Sequence, residues 1–297
     1  MTKKYDVLIV GGGPAGIFTA LELIKHGVHN ILIFDKGPEI EKRNCPRQER
    51  NVSCCRCQPC NVISGWGGAG AFSDGKLTLS SDVGGFLDNY LSKEELDALI
   101  EYVDRIYLKF GAPQHIYGTN DEAVQDIAKK AVYNDLRLVP FRVRHLGTGY
   151  SRKVLKAMYD YLKENGVEIL FNIDIREIKT EANRATGLID RQGRNFEGNY
   201  VVLAPGREGS PWLAEQAEKL GLSMAINPVD IGVRVEIPAD IMAHLTDEVF
   251  EAKFIFYSRT FEDKVRTFCM CPRGEVVLEH NDGIVTVNGH SHAERKT

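Results

Sequence analysis

The stretch from Tyr5 to Phe34, YDVLIVGGGPAGIFTALELIKHGVHNILIF, decides the fold. Residues 5–10 are mostly β-branched and apolar without alternation, the pattern of a parallel strand buried on both faces. The turn Gly11-Gly12-Gly13-Pro14-Ala15-Gly16 follows, and Ile17, Leu21 and Ile24 then recur at helical spacing over 17–26 until Gly27 stops the helix. Ile31 to Phe34 forms a second strand that Asp35 closes. Strand, crossover helix and strand make a βαβ unit, so the fold class is α/β with a Rossmann-like parallel sheet.

Gly11, Gly13 and Gly16 occupy the three glycine positions of GxGxxG. The first allows the tight turn out of the strand, the second lets the backbone approach a pyrophosphate, and the third lets the helix pack on the sheet. Pro14 and Ala15 complete the helix N-terminus, whose N–H groups and positive dipole end suit phosphates. The Asp35 carboxylate can accept from both hydroxyls of a ribose and would repel a 2′-phosphate; Lys36 lies beside it. The motif alone serves NAD or FAD.

Composition narrows the function class. The 297 residues, 43% hydrophobic and 26% charged, suit a soluble globular chain of two domains. A formal net charge of −4 carries no electrostatic footprint for nucleic acid. The apolar run Val7–Val10 is interrupted by glycines, far short of the roughly 20 residues of a membrane span. The same interruption argues against a signal peptide, and a cytoplasmic location is expected.

Residues 42–92 read as a long irregular segment, a length that in a compact domain points to function. Helices are expected over 93–110, with Ser92 and Glu95 at capping-box spacing, and over 121–132. FRVRHL, a helix over 152–164 and VEILFNIDI give strand, helix and strand, and 176–203 reads as hairpin strands ending in YVVLA. From about residue 226 the segments IGVRVEI, KFIFYSR, EVVLEH and GIVTVNG read as strands with little helix. The expected division is a discontinuous dinucleotide-binding domain over 1–222 and part of an inserted, sheet-rich substrate domain over 223–297.

Three later features turn the reading towards FAD. YVVLAPG, with Ala204 and Gly206, resembles the strand and ATG-like turn of two-dinucleotide flavoproteins, Pro205 standing where Thr is usual. The unit at 154–178 resembles the helix and strand of that fold whose residues, here around Asp174, pass beside the adenine. The loop GWGGAGAFSDGKL, with Gly67, Gly68, Ser73, Asp74 and Gly75, would bring backbone N–H groups towards the pyrophosphate or flavin. Together GGGPAG, the cysteines running into GWGGAGAFSDGKLTLS, and VVLAPGREGSPW resemble a family of bacterial FAD-dependent dehydrogenases with a glutathione-reductase-type nucleotide domain.

The resemblance covers nearly the whole chain. It implies FAD and a redox role; the principal reading is hydride transfer between a small-molecule substrate and flavin N5, with NAD(P)H as a candidate electron donor. It sets no particular substrate, acceptor or oligomeric state. It also implies a return segment near the flavin; only NGHSHAERKT follows Val287, so the chain reads as C-terminally truncated. A second reading is a non-catalytic flavin-binding redox module that reports oxidation through the cysteines of 45–60.

Those cysteines leave three readings open. Cys45, Cys54, Cys57 and Cys60 could hold an iron–sulfur cluster or zinc. Cys57 and Cys60 could be a redox dithiol with one lowered pKa. All five thiols, Cys55 included, could simply pack a loop. Cys269 and Cys271 read as strand residues that could add ligands.

Lys42, Arg43, Arg47, Arg50 and Arg56 read as a solvated basic loop, with an anionic substrate group as the alternative. Trp66 either packs or flanks the flavin. Gly147-Thr148-Gly149, with Arg152 in the first turn, reads as a helix N-terminus facing an anion, a second site for NAD(P)H being the alternative. His290 and His292 share one strand face, which suits a metal, yet read as a solvated tail. Tyr257, Arg259 and His280 are unranked candidates for a base.

Overall fold

The computed structural model describes residues 3–46, 50, 52, 54–226, 229–281 and 284–290. The chain forms two compact units, the first from 1–72, 155–233 and 279–286, the second from 73–154, 234–278 and 287–297. A single boundary near residue 222 does not describe this division, because 73–154 gathers with 234–278.

In chain order the described elements begin with β1 (Lys4–Val10), α1 (Pro14–Lys25), β2 (Ile31–Phe34) and β3 (Lys76–Thr78). Next come α2 (Lys93–Lys109), α3 (Asp121–Val132), β4 (Arg137–Val139), β5 (Val143–His145) and α4 (Gly147–Glu164). Then follow β6 (Glu168–Leu170), β7 (Ile175–Glu181), β8 (Arg184–Asp190), β9 (Asn195–Leu203) and α5 (Ser210–Lys219). The last are α6 (Ala239–Val249), β10 (Lys253–Tyr257), β11 (Lys264–Arg266), β12 (Glu275–Asn281) and β13 (Ile284–His290).

The first unit is built on a six-stranded sheet of order β6-β2-β1-β9-β8-β7. The first four strands run parallel, with Leu8 opposite both Leu32 and Val201. Strands β8 and β7 extend the sheet antiparallel. The central strands carry no alternation because both faces are covered: Leu8, Ile9, Leu32, Ile33 and Phe34 are fully buried. On one side α1 turns Ile17, Ala20, Leu21 and Ile24 inward. Another cluster joins Leu8, Leu32, Phe34, Ile175 and Leu188, with Trp212 of α5 packed against it.

In the second unit β11, β10 and β4 form an antiparallel sheet, and β3 pairs with β5. Elsewhere, strands β12 and β13 form a two-stranded sheet. Ile127 of α3 packs with Val249 and Ala252 in one core, while Phe141, Val143 and Phe250 make a second. Arg144, buried, forms a bidentate pair with Asp104 at 2.6 and 2.8 Å and donates to Pro113 O.

Several elements depart from the sequence reading. α1 starts at Pro14, inside the glycine turn, since proline is pre-organised for a first helical position. VEILFNIDI splits into β6 and β7, because the main chain of Asn172 and Ile173 donates to Gly37 O and Asp35 O instead of a strand neighbour. IGVRVEI forms no strand: among the described residues it has no pairing partner, and Ile231 and Val233 are about nine-tenths or more exposed. α6 lies where little helix was expected; its Ile241, Leu245 and Val249 follow helical spacing. α4 begins at Gly147, so Gly147, Thr148, Gly149 and Arg152 all lie within its first turns. Among the described residues no helix is long and apolar enough to cross a membrane.

Gln216 secures α5 to the irregular start of β7. Buried, it accepts from Ile178 N at 3.1 Å and donates to Arg176 O at 3.3 Å, beside the register shift between Ile175 and Glu177. Gln216→Leu keeps the volume but removes the acceptor of Ile178 N, while Arg176 O keeps Trp212 Nε1 at 2.9 Å, and about 1–3 kcal/mol of stability should be lost. Urea unfolding measures it.

Candidate functional site

The ends of β1, β2 and β9 meet the start of α1 at a point with no room for side chains. Gly11 has φ +106°, and a Cβ there would lie 2.0 Å from Ala204 O. A Cβ on Gly16 would lie 1.9 Å from Gly11 O. Gly11 N donates to Phe34 O and Ala204 N donates to Val10 O, each at 2.8 Å. Both glycines are therefore packing glycines.

Gly13 is different. A Cβ there would meet only Gly68 Cα, at 3.8 Å. Gly13 is the N-cap of α1, and no side chain caps that terminus; Pro14 follows at the first helical position. An uncapped helix start presents its first N–H groups and the positive end of the helix dipole beside a glycine with an open flank. That combination suits a pyrophosphate.

Asp35 is buried at the end of β2. Its Oδ2 accepts from Gly12 N and its Oδ1 from Gly37 N, each at 2.8 Å. Burial pushes its carboxyl pKa up, against the backbone donors and the nearby Arg43 charge. Asp35 thus holds the glycine turn in place, and each oxygen keeps further acceptor capacity. Lys36 pairs with Glu208 at 3.1 Å, just beyond the turn that contains Ala204 and Gly206.

The second glycine-rich loop packs onto the first. A Cβ on Gly68 would lie 3.2 Å from Gly13 Cα, and one on Gly70 would lie 3.8 Å from Pro14 Cγ. Arg43 organises this loop. Its guanidinium is fully buried and donates to the carbonyls of Asn61, Val62, Trp66 and Gly68 at 2.7–3.0 Å. Its Cζ lies 4.9 Å from the Phe72 ring centroid. Trp66 is fully buried too: its Nε1 donates to Leu155 O at 2.7 Å, and its ring lies against Gly12, Tyr159 and Phe171.

The sequence comparisons agree with this geometry. A family model described as FAD binding domain matches residues 4–43, and one described as pyridine nucleotide-disulphide oxidoreductase matches residues 122–239. Over these two segments the chain is similar to FAD-dependent oxidoreductases. The FAD-binding segment spans β1, α1 and β2 and reaches Arg43. A protein of Clostridium beijerinckii is 28% identical over 98% of this chain and 49% of its own length. The sarcosine oxidase subunit beta of an Arthrobacter species is 24% identical over 97% of this chain and 68% of its own. The chain therefore spans about half of the first relative and 68% of the second. Among solved structures, glycine oxidase from Geobacillus kaustophilus matches with TM-score 0.44 and 18% identity, covering 75% of this chain and 60% of that one.

The FAD reading assigned other residues too, and several serve differently. Gly67 N donates to Gly12 O and Gly68 N to Gly65 O, so these N–H groups are engaged within the loop rather than directed at a ligand. Arg43 is a buried organiser, not part of a solvated basic loop. Trp66 packs. Ser73, Asp74 and Gly75 belong to the second unit, where Asp74 lies 3.0 Å from His145 Nε2. Asp174 pairs with Arg191 at 2.5 Å.

Among the described residues no group of three or more His, Cys, Asp or Glu gathers in a metal-holding arrangement, and none of the seven cysteines is in a disulfide. Burial pushes the Cys60 thiol up, opposite to the lowered pKa of an activated dithiol. Cys269 and Cys271 lie between β11 and β12, on no strand. Arg259 pairs with Asp135, and Tyr257 is exposed at the end of β10. Arg47 and His292 lie outside the described residues, as do the side chains of His280 and His290.

Arg43→Met should cost roughly 3 kcal/mol, since buried carbonyls lose their donor. It should also loosen the loop against the glycine turn, so that the purified variant retains less flavin per chain than the parent. Thermal unfolding and the flavin-to-protein absorbance ratio report the two effects.

Proposed function

We propose that this chain is the FAD-holding part of an enzyme that moves a hydride between a small-molecule substrate and flavin N5. The observation that carries the reading is the contrast within the glycine turn. Gly11 and Gly16 are closed by backbone, whereas Gly13 opens beside an uncapped helix terminus. Bound FAD supplies the two-electron chemistry; the protein binds, orients and shields it.

In this reading the N–H groups at Gly13, Ala15 and Gly16 hold the pyrophosphate, and the spare acceptor capacity of Asp35 takes a ribose hydroxyl. The Gly68–Gly70 backbone walls the site, and Ala204 and Gly206 border it from β9. The second unit, built from 73–154 and 234–278, serves the substrate, and the location is cytoplasmic. NAD(P)H is the proposed electron donor, a reading supported by the match over 122–239. The sarcosine oxidase relative makes secondary amines the first substrates to try.

The test separates binding from folding. Gly13 has φ −81° and room for a methyl group, so Gly13→Ala should fold with stability within about 0.5 kcal/mol of the parent. Its FAD affinity should fall at least about tenfold, some 1.4 kcal/mol. Gly16→Ala should instead lose stability by about 1–3 kcal/mol. A parent protein that shows no flavin band and takes up no FAD would overturn the reading. Anaerobic bleaching of the flavin by NAD(P)H or an amine then identifies the donor.

A further inference from the structure

The second unit contains a thiol pair that the FAD reading leaves unused. Cys269 and Cys271 flank Met270 on a loop and turn their Sγ atoms to within 3.7 Å of each other. Both are partly buried. Each sulfur receives a cation from a different part of the chain. Lys76 Nζ lies 2.9 Å from Cys269 Sγ, donates to Met270 O at 2.7 Å and bonds Glu251. Arg234 donates from Nη2 to Cys271 Sγ at 3.1 Å and from Nη1 to Cys269 O at 2.9 Å.

Gly289 makes the second contact sterically available. A Cβ there would lie 1.6 Å from Arg234 Nη2 and 2.7 Å from Cys271 Sγ. The remaining charges are close by: Asp74 lies 3.8 Å from Lys76, and Lys253 lies 3.5 Å from Glu251. Cations against both sulfurs oppose a metal ion and favour a thiolate.

The two thiols are held unequally. The Cys271 hydrogen bond lowers Cys269, burial opposes it, and the Lys76 charge helps; the outcome is a pKa of about 5. Cys271 is pushed up by that same hydrogen bond and by burial. Burial works against the Lys76 charge, but Glu251 and Cys269 outweigh it and its pKa rises. With Lys76 Nζ 2.9 Å from Cys269 Sγ and Cys271 Sγ only 3.7 Å away, Cys269 is placed as the nucleophile and Cys271 as the partner within reach. A partly buried sulfur between two cations favours a small oxidant whose leaving group is an oxyanion.

We propose that Cys269 and Cys271 are a peroxide-reactive pair, Cys269 attacking a hydroperoxide and Cys271 closing the disulfide. In the first step the Cys269 Sγ–O bond forms as the O–O bond breaks. Sulfur is oxidised by two electrons to sulfenic acid, and the departing oxyanion takes a proton from the Lys76 ammonium, which solvent restores. In the second step Cys271 Sγ attacks Cys269 Sγ, the S–O bond breaks, and hydroxide leaves with the Cys271 proton as water. One peroxide is reduced to an alcohol and water, or to two waters from hydrogen peroxide, for each disulfide made.

The site is independent of the flavin reading, and its test does not depend on turnover. The reduced full chain, with its cofactor, is treated at pH 6 with hydrogen peroxide below one equivalent and mapped by peptide mass spectrometry. An ordinary thiol near pKa 8.5 is well under about 1% thiolate there. The Cys269–Cys271 disulfide should therefore form at least about tenfold faster than oxidation at Cys45, Cys54, Cys55, Cys57 or Cys60. Cys271→Ser should accumulate a dimedone adduct on Cys269, and Lys76→Met should raise the midpoint of Cys269 alkylation by iodoacetamide.

The alkylation profile of the parent needs no variant, so a misfolded mutant cannot hide a failure. An alkylation midpoint for Cys269 in the ordinary thiol range would overturn the assignment. So would oxidation of the 45–60 cysteines ahead of Cys269.

Discussion

At Gly11 the end of β1 passes so close to the Ala204 carbonyl, and Gly16 so close to the Gly11 carbonyl, that a single methyl group would drive the elements apart. The rest of the first unit depends on that approach. It sets the spacing of β1 from β9, seats α1 on the sheet and directs the helix terminus to the carboxyl ends of the parallel strands. In open α/β sheets this is where the crevice forms. The candidate cofactor site and the central packing thus rest on one constraint, and a change that relieves the crowding also displaces the candidate site.

A buried charge supports this arrangement from behind. Arg43 stands at the end of the segment matched as an FAD-binding domain and ties down the carbonyls of the 61–68 loop. An unpaired guanidinium would be costly to bury; here four carbonyls and the attraction of Asp35 offset that cost. Asp35 in turn anchors Gly12 and Gly37. Fixing carbonyls towards Arg43 leaves the loop's main chain packed against Gly13 and Pro14, so charge and backbone together form one wall of the site.

The second unit handles charge differently. Lys76, Glu251, Asp74 and Arg234 arise from distant stretches and converge on two sulfurs of one short loop. The Cys45–Cys60 run looked the more chemically promising in the sequence because its thiols are close in number. Proximity along the chain says nothing about neighbouring charge, and charge decides which sulfur is a thiolate. Cys60 is pushed up by burial, whereas Cys269, flanked by Cys271 and Lys76, is held down.

The sequence by itself determined the βαβ unit, the glycine turn, the capped helix at α2 and the carboxylate after β2. Each rests on local periodicity or on a backbone that only glycine can follow, and such causes act within a few residues. Tertiary structure decided the rest. It placed Arg43 in the interior because the carbonyls that solvate it lie some twenty residues further on. It split VEILFNIDI because Asp35 O and Gly37 O accept its backbone donors. It left IGVRVEI without a strand because a β pattern needs a partner to pair with. It also distinguished Gly13, open to a ligand, from Gly11 and Gly16, closed by main chain, a difference that one repeated letter cannot record.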